Sequence, residues 1–102
     1  MNRYQVLAAA ELSVKDREGH YGSPQKNFER IAAIWNVILA EKLGHDYDDE
    51  IDELKSRYYE ISAADVAMMM VAVKLARLIE TPDHEDSAVD LAGYAALLQE
   101  IA

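Results

Sequence analysis

A chain of 102 residues with no cysteine reads as one small domain without disulfides or thiolate metal sites. Its formal net charge is −9, and ten scattered lysines and arginines against nineteen acids leave no basic face for a duplex phosphate backbone. An apolar share of 51% excludes disorder, and scarce glycine and proline beside common alanine, leucine, glutamate and lysine point to an all-helical fold. No basic n-region with a following apolar stretch opens the chain, so a cytoplasmic protein is expected.

The first helix is predicted from about Arg3 to Glu18, broken by Gly19, His20, Tyr21 and Gly22. Its apolar arc reads as Tyr4, Leu7, Ala8, Leu12 and Val14. Ser23 is the expected N-cap of a second helix, with Pro24 at its first position. That helix runs to about Leu43 with Gly44 as its C′ residue, and its stripe is Phe28, Ile31, Ile34, Trp35, Ile38 and Leu39. An acidic segment from about 45 to 60 follows. Tyr47, Ile51, Leu54, Tyr58 and Ile61 mark a narrow helical seam in it, and a short, partly exposed helix is predicted from about Asp48 to Tyr59.

Ser62 and Asp65 then have capping-box spacing, with Asp in place of the usual Glu. They open the most informative stretch of the chain, AADVAMMMVAVKLARLI from Ala63 to Ile79. Its apolar residues cover every side of a helix, interrupted only by Asp65, Lys74 and Arg77. Three charges in so short a stretch argue against a membrane span, so protein must surround it, and a chain this small is expected to oligomerise to do so. Thr81 and Pro82 end this helix. A last one starts at Asp86 or Ser87 and runs close to Ala102, with Leu91, Tyr94, Ala95, Leu98 and Ile101 as its arc. The expected architecture is an all-α bundle of about four to five helices in one domain, 1–102.

Some charges fall where a core is expected. Glu11 lies within the first helix's arc, and Glu18 nearly below it two turns on. Asp90 lies within the last helix's arc, and Asp86 near its edge one turn earlier. A buried carboxylate must be paired, protonated or bound to metal. One reading pairs Asp90 with Lys74 and Glu11 with Arg77 as a structural network. The other gathers the carboxylates around a divalent cation, with Lys74 or Arg77 on a phosphate. The residue pattern leaves both open.

Other candidates weigh toward plain roles. Asp65 reads as a cap, Glu50 and Glu53 as a solvated face, and Met68 to Met70 as core or subunit-interface filler. His20 and Tyr21, in GHYGSP before a helix N-terminus, suit either an anion site or a tight turn. His84 reads as a surface histidine, and three histidines without cysteine argue against zinc. No P-loop, nucleophile elbow or H-E-x-x-H is present.

Four segments together carry a resemblance: DREGHYGSPQKNF at 16–28, the IAAIW that follows, ADVAMMMVAVKLAR at 64–77, and DSAVDLAGYAAL at 86–97. They resemble a family of small bacteriophage and prophage proteins of uncharacterised function. The match spans most of the chain outside the acidic segment, which looks like an insertion. The residues that carry it are Arg17, Tyr21, Gly22, Asn27, Asp65, Lys74, Arg77, Asp86, Asp90, Gly93 and Tyr94. More distantly, the chain is similar to the MazG-like all-α nucleotide pyrophosphohydrolases. Those are helical oligomers that cleave nucleoside triphosphates to monophosphates with Mg²⁺ held by E-x-x-E and E-x-x-D pairs. The chain departs from that pattern: Glu80 and Asp83 have the second spacing, but Pro82 lies between them.

The resemblance implies a phage-type homo-oligomer that binds a nucleotide, or another small anionic ligand, in the host cytoplasm. On the inward-carboxylate reading Asp86 and Asp90 would hold Mg²⁺ with Glu11 or Glu18, a ligand set rearranged from that of the pyrophosphohydrolases, and Lys74 would act with the two aspartates in hydrolysis. Arg17, Tyr21, Asn27, Arg77 and Tyr94 would bind the ligand, with Lys74 and Arg77 on the phosphate charge and Tyr21 or Tyr94 stacked on a base. The alternative is a non-catalytic protein that sequesters a host nucleotide signal or a host protein. Neither reading involves duplex nucleic acid or a membrane.

Overall fold

A computed structural model describes residues 1–43 and 60–102. The fold is all-α, with four helices among the described residues: α1 Arg3–Tyr21, α2 Pro24–Leu43, α3 Ala63–Glu80 and α4 Glu85–Ile101. The helix predicted over Asp48 to Tyr59, the proposed C′ residue Gly44 and the Glu50–Glu53 pair lie outside the described residues. No described helix is long and apolar enough to cross a membrane.

Local chemistry sets the helix ends. At α1, the Asn2 side chain accepts from the Gln5 N–H at 2.9 Å, and Gln5 Oε1 accepts from the Asn2 N–H at 2.8 Å. The helix then runs three residues past the predicted stop, through Gly19 and His20 to Tyr21. A glycine weakens a helix interior without ending it. The stop comes at Gly22, whose φ of 77° leaves the helical region and whose N–H still donates to the Glu18 carbonyl at 3.1 Å.

Ser23 caps α2 as expected, its hydroxyl accepting from the Lys26 N–H at 3.3 Å. The Ser62–Asp65 capping box of α3 is also formed, with bonds of 2.9 and 3.1 Å. α4 starts at Glu85, slightly before the predicted start, because His84 serves as its cap: Nδ1 accepts from the Ser87 N–H at 3.2 Å and lies 2.6 Å from Ser87 Oγ.

α3 and α4 form a hairpin with Lys74 beside Asp90, and α1 packs along α4 while the first half of α2 packs on the start of α3. The core is one layer: Phe28 and Ala32 from α2, Ala63, Val66 and Ala67 from α3, Tyr94 and Leu97 from α4. Phe28 and Tyr94 stack obliquely, with centroids 6.2 Å apart. Asn36 clamps α2 to the chain entering α3: its side-chain carbonyl accepts from the Ile61 N–H at 2.8 Å, and its amide donates to the Ile61 carbonyl at 3.0 Å.

Two apolar arcs need correction. On α1 the inward side is Val6, Ala10, Val14 and Arg17, while Tyr4, Leu7 and Leu12 are exposed. The inward residues are short because α1 approaches α4 closely, so the larger apolar side chains marked the wrong side. On α2, Phe28, Ile31 and Trp35 pack inward as predicted, but Ile34, Ile38 and Leu39 are exposed.

The two glycines of the α1 end call for opposite responses to one substitution. A Cβ on Gly19 meets nothing within 4 Å, so Gly19→Ala should stabilise the fold by about 0.5–1 kcal/mol. Gly22→Ala should cost about 1–2 kcal/mol, because its positive φ disfavours a side chain. Urea denaturation of the two variants checks the sign of each.

Candidate functional site

The site is built where α1 comes closest to α4. Gly93 faces Val14 there: a Cβ on Gly93 would lie 3.5 Å from Val14 Cγ2, in ordinary van der Waals contact. One turn beyond Val14, Arg17 lies over the ring of Tyr94, its guanidinium carbon 4.7 Å from the centroid. The same guanidinium is 6.0 Å from the ring of Tyr21, four residues on along α1. Tyr94 is 6% exposed and fixed in the core layer, whereas Tyr21 is 55% exposed at the mouth of the site.

Two shallow depressions adjoin at Arg17. One is bordered by Ser13, Val14, Asp90, Gly93 and Tyr94. The other is bordered by Glu18, Tyr21, Gly22, Asn27 and Phe28, where α1 ends and α2 begins. They enclose about 20 Å³ and about 10 Å³, room for roughly one water molecule each. Anything larger must lie across the surface groove that joins them. Seven of the residues that carry the resemblance, Arg17, Tyr21, Gly22, Asn27, Asp90, Gly93 and Tyr94, meet along this groove although they come from three helices and a turn.

Lys74 reaches the groove's edge from α3. Its Nζ is 3.1 Å from Asp90 Oδ2, with side chains 12% and 35% exposed. This is the Asp90–Lys74 pair of the structural-network reading. The other expected pair, Glu11 with Arg77, is not formed. Glu11 faces solvent and pairs with Lys15 at 2.9 Å; the hydrogen bond and charge of that ammonium hold its carboxyl below the usual carboxylate range. Arg77 is exposed on the last turn of α3.

The carboxylates expected to face inward do not converge. Glu18 is exposed at the rim of the second depression, and Asp86 is exposed at the head of α4 beside Asp83, His84 and Glu85. Among the described residues no group of three or more histidines, aspartates and glutamates is placed to hold a metal ion. The cause is the phase of α1: with Val6, Ala10 and Val14 inward, Glu11 points away from α4. His20 lies on the surface of α1, 3.5 Å from Asp16.

Sequence reasoning missed Asn36 and the cap role of His84. Asn36 gave no signal, since its partner is a backbone 25 residues away. His84 stands three residues before Ser87, the spacing of a capping pair, but a ring nitrogen is an uncommon cap acceptor.

The family model described as Domain of unknown function (DUF6378) matches residues 5–102. The "Gene 55 protein" of Mycobacterium phage L5 is 36% identical over 96 residues, covering 94% of this chain and 51% of that protein. The "Gene 55 protein" of Mycobacterium phage D29 is 34% identical over 93 residues, covering 91% of this chain and 50% of that protein. The chain thus spans about half the length of the curated relatives it matches. No solved structure matches it.

The Lys74–Asp90 pair has a measurable structural consequence. Asp90→Asn keeps the shape but leaves a largely buried ammonium with a neutral partner, and should cost about 1–3 kcal/mol. Lys74→Met combined with Asp90→Leu should recover most of that loss. Chemical denaturation of the single and double variants gives the comparison.

Proposed function

The chain belongs to the DUF6378 family, and we propose that its Arg17 groove binds a small anionic ligand of the nucleotide class without transforming it. The observation that carries this reading is the Arg17 guanidinium resting 4.7 Å over Tyr94 and 6.0 Å from Tyr21. A guanidinium held by one aromatic face keeps its edge donors for a phosphate, which it can engage through two parallel hydrogen bonds. The half-exposed ring of Tyr21 offers a stacking surface for a base. Asn27, in the first turn of α2, supplies an amide at the same rim.

Binding is favoured over hydrolysis by the state of the carboxylates. Cleavage by the metal route needs several acids around one ion to activate water. Among the described residues Lys74 engages Asp90, Lys15 engages Glu11, and Asp86 and Glu18 stand apart. Holding a ligand without turning it over fits a protein that sequesters a small molecule.

A thermal-shift series with nucleoside mono-, di- and triphosphates, each with and without Mg²⁺, tests this. A ligand at about 100 times its dissociation constant stabilises by about 2.7 kcal/mol, a rise in Tm of roughly ten degrees or more for a chain this size. Arg17→Ala should abolish the rise while leaving the helical circular dichroism unchanged. The nucleotide should be recovered intact by chromatography. If no nucleotide raises Tm in either series, the reading fails; release of monophosphate would replace it with the enzymatic one.

A further inference from the structure

α2 carries an outward seam that the core does not use. Arg30, Ile34, Val37 and Glu41 follow one another at spacings of four, three and four, so they line one narrow stripe about 17 Å long. Ile34, Val37 and the flanking Ile38 are 60%, 67% and 52% exposed, and Arg30 and Glu41 are exposed at either end. The inward side of the same helix, through Phe28, Ala32 and Trp35, lies opposite. The seam is therefore an apolar centre with a cation at one end and an anion at the other.

We infer that this seam is the two-fold interface of a homodimer in which α2 packs antiparallel against α2 of a second copy. A two-fold axis midway between Ile34 and Val37 sets each Ile34 against the partner's Val37. The same axis sets Arg30 against the partner's Glu41, twice by symmetry. The charges also choose the direction. A parallel pairing brings Arg30 against the partner's Arg30 and Glu41 against the partner's Glu41, and like charges across an interface repel. A seam that is self-complementary in one orientation alone fits a second copy of this chain better than an unrelated partner.

Sedimentation velocity across a concentration series, from about 1 to 100 μM, tests the inference on the whole chain. The expected species is a dimer of twice 11.5 kDa. Val37→Glu should yield monomer with unchanged helical circular dichroism, and Val37→Ser, milder, should raise the dimer Kd in the same direction. Arg30→Glu alone and Glu41→Arg alone should each weaken the dimer by about tenfold or more, and the two together should restore it. A chain that stays monomeric at 100 μM overturns the inference. So does a dimer indifferent to Val37→Glu, whose interface would lie elsewhere, or a charge-swapped double variant no tighter than the singles.

Discussion

The layer in which Phe28, Val66, Ala67 and Tyr94 meet governs the placement of everything else. Val66 and Ala67 are wholly buried and Phe28 nearly so, while Ala32 and Ala63 beside them are small enough to let three helices approach at one level. Burying a side chain the size of phenylalanine or valine stabilises by about 1.5–3 kcal/mol. The layer therefore resists displacement more than any surface contact does. Tyr94 belongs to it, and its ring is the floor on which Arg17 rests. A change that loosened Val66 or Phe28 would move the floor of the groove before it touched the guanidinium.

α4 couples that core to the groove because three of its sides have different work. Tyr94 and Leu97 face the core, Asp90 faces Lys74, and Gly93 faces Val14 of α1. Where Val14 passes Gly93, α1 runs near enough to α4 for Arg17 to reach Tyr94. Lys74 pairs with Asp90 and Arg17 rests over Tyr94, within a chain whose overall charge is −9. Asp90 is committed to Lys74, and Glu11 and Asp86 are exposed. Lys74 and Asp90 neutralise each other, which leaves Arg17 as the cation of the groove and Glu18 as the anion at its far rim.

Much of this was legible in the sequence where the signal was local. The Ser62–Asp65 box, the Ser23 cap and the Thr81 stop each depend on residues within one turn of the helix they bound. On α4 Tyr94 is buried, Leu91, Leu98 and Ile101 are half-buried and Asp90 sits beside Lys74, but Ala95 is exposed and the buried Val89 and Leu97 fell outside the predicted arc, so that arc was legible in part. α1 was not, because its inward side is Ala10, Val14 and Arg17 while Tyr4, Leu7 and Leu12 lie outside. Size pointed one way and close approach the other. The error rotated the helix by about a third of a turn, which carried Glu11 into an imagined core. Arg17 itself came from the resemblance and not from periodicity, since an arginine on a helix reads as solvated until its aromatic partner, 77 residues away, is known.

The all-round apolar character of α3 is half explained by the fold. Its inner half, with Val66, Ala67 and Met70, is covered by α2 and α4. Its outer half presents Met68, Met69, Val73, Leu75 and Ile79 to solvent in a single copy of the chain. Exposed apolar surface of this extent normally marks a place that something else covers. The two outward faces of the molecule differ in what they specify, however. The α2 seam is bracketed by opposite charges and so dictates a direction of pairing. The α3 face differs: its exposed cation, Arg77, sits inside the apolar run between Leu75 and Ile79 and not at an end of it, so charge does not bracket that face as it does the α2 seam.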